Sequence, residues 1–264
     1  MTRPIPLLLA LIALAVPLSL LAGRVWLDPW TTPNAALILG ELRLPRAVLA
    51  LAIGGGLGAA GAAMQGYLRN PLADPGLFGI APGAALGAVA SFWFGYAASA
   101  WLLPLFALAG AAGAMALLAA IAGRTGGIAL FTLAGMMIAS LAGALTDRGW
   151  PDVWLAAPLM LIGVVLLRAA GPALDALTLG EAAARSLGVS PGRLQALLIG
   201  GIGLTVGGGV AVAGVIGFVG LIVPHLVRPL TDRRPSSLIV PSALAGALLV
   251  LVADVVCRIL PLVT

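Results

Sequence analysis

The sequence predicts an all-α, polytopic membrane protein, and three observations carry that reading. Hydrophobic residues make up 61% of the 264-residue chain, charged residues only 9%, and mean hydropathy is +1.15. Apolar runs such as Ile5–Ala22, Trp101–Ala122 and Leu238–Val252 reach or approach the length that crosses a hydrocarbon core of ~30 Å. The alternating strands of an outer-membrane barrel are missing from the pattern.

In chain order the expected segments are 5–22, 47–68, 77–97, 101–122, 128–145, 153–169, 192–213, a short half-span at 216–228, and 238–259. The first follows Arg3 and has the look of a secretory leader, but no small-x-small cleavage site closes it, so it reads as a retained helix. The second carries Gly54-Gly-Gly56, Gly58 and Gly61, small residues that let membrane helices approach closely. It ends at the polar turn Arg69–Gly79, where Asp74 is placed to cap the third helix with Pro75 in its first turn. Segments four and five meet at Gly123-Arg-Thr-Gly-Gly127, glycines that suit either a moving loop or a tight turn. Between the sixth and seventh lies Thr178–Gly188, where Thr178 and Glu181 have capping-box spacing and Gly188 is a C-terminal stop. Ser190 and Pro191 then open the seventh. Connections are short, so the whole of 1–264 reads as one membrane domain. A weak internal repeat pairs 47–145 with 192–264: Gly54-Gly-Gly-Leu-Gly-Ala-Ala-Gly61 aligns with Gly207-Gly-Gly-Val-Ala-Val-Ala-Gly214 and Pro71 with Pro224.

All 14 basic residues are arginine, and they are scattered singly between apolar segments, which fits membrane orientation better than a nucleic-acid surface. With the N-terminus inside, Arg3, Arg69, Arg124, Arg168, Arg185, Arg193, Arg228, Arg233 and Arg234 face the cytoplasm, while Arg24, Arg43, Arg46, Arg148 and Arg258 face outward. The one cysteine, Cys257, excludes an intramolecular disulfide and reads as a small buried thiol. No phosphate loop, HExxH or Ser/His/Asp set occurs, and His225 alone makes no metal site; at a helix end it reads as a structural hydrogen-bonding partner. The main carboxylate within a span is Asp254, with Arg258 its expected helical partner. Ion-coupled carriers depend on buried acids or broken-helix ion sites, so the energy for transport is expected from another subunit.

Four blocks, in order, resemble one family. Arg43-Leu-Pro-Arg46, the 61–79 block, Leu179-Gly-x-x-x-Ala-x-x-Leu-Gly188, and Gly214-Val-Ile-Gly-Phe-Val-Gly-Leu-Ile-Val-Pro-His-Leu-Val-Arg228 are similar to signatures of the iron-siderophore, heme and vitamin B12 class of ABC importer permeases, the FecCD type. The resemblance covers roughly 40–260. It implies a homodimer in the bacterial inner membrane, two cytoplasmic ATPase subunits that hold the ATP-Mg, and a periplasmic substrate-binding protein. The permease itself would bind no cofactor or metal and do no covalent chemistry. By the same resemblance Thr178, Leu179, Gly180, Glu181, Ala184, Arg185, Leu187 and Gly188 form the ATPase-coupling region, and Arg43, Arg46 and Arg258 face the binding protein. Interfacial snorkelling or pairing is the other account of those arginines. Asn70, Leu72, Asp74, Arg124, Thr125 and Gly126 are gate or exit candidates, and Pro224, His225 and Arg228 mark the cytoplasmic end of the short helix.

The chain departs from the family pattern in two places. Only seven residues, Thr146–Asp152, separate Leu145 from Val153, where the family carries a longer stretch. Thr264 falls where relatives continue into a tenth helix, so about nine membrane segments are expected. An ion-coupled secondary transporter and a truncated, non-transporting membrane subunit remain the competing readings.

Overall fold

The computed structural model describes residues 4–23, 26–30, 32–71, 73–74, 80–96, 99, 101–122, 149–217 and 219–259. Its elements are helical throughout: α1 Pro4–Leu21, α2 Ala35–Leu68, α3 Ile80–Trp93, α4 Leu102–Ala122, α5 Trp150–Leu177, α6 Glu181–Ser186, α7 Pro191–Ala213, α8 Val219–Val227 and α9 Pro235–Ile259. Five of them, α1, α2, α5, α7 and α9, are long and apolar enough to cross a membrane. The expected segment 128–145 lies outside the described residues.

The central helix is α2, 83% of whose apolar window is buried, against 11% for α1. Glycine makes that centrality possible. A Cβ on Gly54 would fall on the Gly246 carbonyl of α9, one on Gly58 on the Ser242 carbonyl, and one on Gly61 on the Gly220 carbonyl of α8. Close backbone approach replaces the hydrophobic drive that lipid cannot supply. The same device packs α3 on α4 through Gly83, Gly87 and Gly110. It also packs α5 on α7, where a Cβ on Gly163 would meet the Gly201 carbonyl at 2.8 Å. Met160, Leu167, Leu174, Val206, Ile239 and Leu251 fill the space around these seams.

Two helices are longer than the hydropathy pattern predicts. The chain is already helical at Ala35, twelve residues before the expected start at 47, and passes through a π-helical stretch at Ile38–Arg43. Helix α5 runs 28 residues, 150–177 rather than 153–169, which is about 42 Å at 1.5 Å per residue. Its extra turns are kept helical by packing. Gly171 and Leu174 are buried, and Asp175 caps α9, its Oδ1 accepting the Ser236 N–H at 2.9 Å and its Oδ2 the Ser236 hydroxyl at 2.5 Å.

Candidate functional site

At one end of the bundle the last turns of α2 and α5 and the first turns of α7 and α9 come together. Helix α6 stands on this end. It is six residues long and is anchored by Ala184, 1% exposed, while Glu181 and Arg185 lie on its surface in an i,i+4 pair at 3.4 Å. Leu179 and Leu187, which flank it, are 68% and 64% exposed, an unusual position for two leucines outside the apolar spans. Gly188 takes φ +84°, the left-handed stop its sequence position predicts, and Ser190 Oγ accepts the Arg193 N–H at 3.4 Å to start α7.

The predicted capping box does not form. Thr178 is the C-cap of α5, and its hydroxyl donates to the Asp175 carbonyl at 2.6 Å. The N–H groups of Thr178, Leu179 and Gly180 close successive tight turns on Asp175, Ala176 and Leu177. The residue that precedes α6 is Gly180, whose φ of +101° only glycine adopts readily. Thr178 therefore ends one helix instead of starting the next.

Between α6 and the bundle lies a cavity of about 450 Å3. Tyr67 and Arg69 at the end of α2, Glu181 and Arg185 on α6, and Gln195 on α7 supply its polar lining, and Leu177 and Leu194 are part of its apolar wall. The structure thus brings Arg69 of the first recognised turn beside Glu181, Ala184 and Arg185 of the second. Arg69 itself adopts φ +51° and its N–H returns to the Gln65 carbonyl, so the turn that follows starts as a tight C-terminal stop. Asn70 continues it, donating its own N–H to Gln65 and accepting from the Ala73 N–H. Asp74 is half-buried; whether it caps α3, and the placement of Leu72, Arg124, Thr125 and Gly126, lie outside the described residues. His225 is exposed on the last turn of α8, with Pro224 buried one residue before it.

The opposite end gathers Leu21, Arg43, Trp150 and Asp254. Here Arg43 and Arg46, two of the three sequence-picked arginines, have work within the fold. Arg43 Nη1 donates to the carbonyls of Leu20 and Leu21 at 2.7 and 2.8 Å, satisfying two of the groups that the C-terminus of α1 leaves open. Arg46 Nε lies 2.7 Å from Asp254 Oδ1, tying α2 to α9. The expected partner of Asp254 was Arg258, whose side chain lies outside the described residues; the cross-helix contact from Arg46 was invisible to an i,i+4 reading. Trp150 donates its indole N–H to the Gly40 carbonyl at 2.9 Å and stacks on Trp154. With Arg46 51% and Asp254 15% exposed, the ion pair contributes about 1 kcal/mol or less. Arg46→Asp is expected to lower the protein's level in membranes several-fold, and adding Asp254→Arg to recover it. Equal levels in the single and double variants would remove the pair from the account.

Sequence reasoning missed Gln65, Tyr67 and Gln195. Gln65 is 3% exposed, a polar side chain inside a run of glycine and alanine, and that contrast was the signal available.

Comparison with known proteins matches this architecture throughout. The family model described as the FecCD transport family matches residues 9–147 and 134–262. The Fe(3+)-citrate import system permease YfmE of Bacillus subtilis is 36% identical over 97% of this chain and 87% of its own length. The vitamin B12 import system permease BtuC of Salmonella paratyphi A is 36% identical over 94% of this chain and 84% of its own. A solved metal-chelate type ABC transporter in an inward-facing conformation superposes with a TM-score of 0.83 at 28% identity, covering 95% of this chain and 89% of that one. The alignment with the Bacillus relative runs over 291 positions against 264 residues here, so the relative carries residues with no counterpart in this chain. The two family-model matches meet at 134–147, beside the connection that is short in this sequence. Helical architecture, ordered signatures and these matches agree: the chain belongs to the FecCD transport family.

Proposed function

We propose that this chain is the membrane-spanning subunit of an ATP-driven importer of a metal chelate, working as a homodimer with two cytoplasmic ATPase subunits and an external binding protein. The observation that carries the reading is the construction of α6. A six-residue helix, anchored through Ala184 and flanked by exposed Leu179 and Leu187, stands off the end of the bundle. Such a helix suits a groove on a partner, and movement of that partner would pass through α5 and the α2 end into the spans. The end that bears α6 is then cytoplasmic, which puts the N-terminus inside and Arg43, Arg46 and Arg258 outside. Arg43 and Arg46 keep their contacts in the fold and would face the binding protein from that end of the bundle. The turn at Asn70, Leu72 and Asp74 and the loop at Arg124, Thr125 and Gly126 would border the inner gate.

Two relatives handle ferric citrate and vitamin B12 by their names, and both cargoes are bulky metal complexes. The test is reconstitution in liposomes with ATPase and binding-protein subunits of this family from the same genome, using radiolabelled ferric citrate and cyanocobalamin. Uptake of one of them that requires Mg-ATP is the expected result. Uptake driven by an ion gradient without ATP would replace this reading with secondary transport. ATPase assembly without uptake of either probe would reduce the chain to a non-transporting subunit.

A further inference from the structure

Pro224 lies inside α8. A proline has no N–H, so the carbonyl four residues earlier loses its helical donor, and the ring crowds that carbonyl away from the axis. The carbonyl concerned is that of Gly220, in a buried residue. Left unpaired in such a place, it keeps the full penalty of having been taken out of water. Gln65 reaches it from the neighbouring helix: its Nε2 donates to the Gly220 carbonyl at 3.4 Å and to the Leu221 carbonyl at 3.2 Å. On the other side, its Oε1 accepts from Arg228 Nη2 at 2.8 Å. The amide can sit only one way round, because a guanidinium only donates and a carbonyl only accepts. Arg228, just past the end of α8, thus fixes which side of the amide faces Gly220. Gly61, one turn earlier on α2, admits the approach, since a Cβ there would fall on the same Gly220 carbonyl.

We propose that Gln65, oriented by Arg228, supplies the hydrogen bond that Pro224 removes from α8, and is a positioning residue that binds α8 to α2 so that the two move as one body. The contact spans two blocks of the sequence, and it reaches α2 one turn before the Arg69 stop and the cavity behind α6. It stands or falls independently of the cargo and of the ATPase reading. The opposing account treats Gln65 as a packed polar side chain whose loss costs the same whatever occupies position 224.

The two accounts separate in a double-mutant cycle read by amide hydrogen exchange on the full-length protein in lipid nanodiscs. Gln65→Met is expected to speed exchange across 221–227 about ten-fold or more. Against a Pro224→Ala background, in which position 224 regains an N–H for Gly220, the same substitution is expected to change exchange by less than about three-fold. Equal acceleration in both backgrounds, or unchanged α8 exchange in the first, overturns the proposal. Should Gln65→Met fail to accumulate in membranes, accumulation becomes the readout. Recovery by Pro224→Ala supports the bracket, and no recovery overturns it.

Discussion

Gly58→Leu is expected to abolish accumulation of the protein in membranes. Even a single Cβ at this position would fall on the Ser242 carbonyl, a backbone atom that cannot turn aside. Ordinary overpacking of a core costs about 1–3 kcal/mol because side chains give way. Here the helices themselves must part, and Gly54 against Gly246 one turn away would lose its contact with them. A cost above about 3 kcal/mol is therefore expected, a large share of the ~5–15 kcal/mol that stabilises a typical fold. Gly203→Ala is the control, since nothing lies within 4 Å of a Cβ at Gly203. It should be neutral or stabilising by up to about 1 kcal/mol through helix propensity. Membrane-fraction levels and thermal unfolding in detergent measure both. Wild-type behaviour of Gly58→Leu would mean that α2 and α9 do not pack as described.

The second large effect concerns association with the ATPase. Leu179→Asp combined with Leu187→Asp should cut co-purification of the ATPase at least ten-fold while leaving the unfolding temperature of the isolated chain unchanged. Both leucines are more than 60% exposed, so their loss removes nothing from the core, whereas an apolar contact in a partner's groove would lose about 1.5 kcal/mol or more for each. Ala184→Asp differs in kind: with 1% of the residue exposed, it should detach α6 from the bundle as well. Undiminished co-purification with both leucines replaced would move the coupling surface elsewhere.

Much of this architecture is legible in the sequence, and the exceptions share a physical cause. Hydropathy locates α1, α4 and α7 to within a residue or two because the apolar run and the helix share their ends there. It cuts α5 short because Arg168 and Gly171-Pro172 read as an interface, whereas buried Gly171 and the Asp175 cap on α9 carry the helix onward. It starts α2 late because Arg43 and Arg46 read as loop residues. Their partners, the Leu20 and Leu21 carbonyls and Asp254, are distant in sequence. The site divides in the same way. Gly188 and Ser190 are local in origin and were visible as such, whereas the surface pair Glu181–Arg185 takes the place of the capping box the sequence suggested. Thr178 was misassigned because capping-box spacing says nothing about whether the preceding helix has already ended. Gln65 escaped because its role depends on a proline in another helix.

The lipid-facing first helix has one more consequence. Helix α1 is 18 residues long, about 27 Å, and is fixed at its end by the Arg43 contacts to Leu20 and Leu21. A bilayer core is ~30 Å thick. Hydrocarbon beside α1 is expected to thin by a few ångströms, at a fraction of a kcal/mol per ångström, whereas α5 is long enough to project beyond it. A bilayer of uneven thickness is the expected surrounding, with short-chain lipids gathered along the flank where α1 stands.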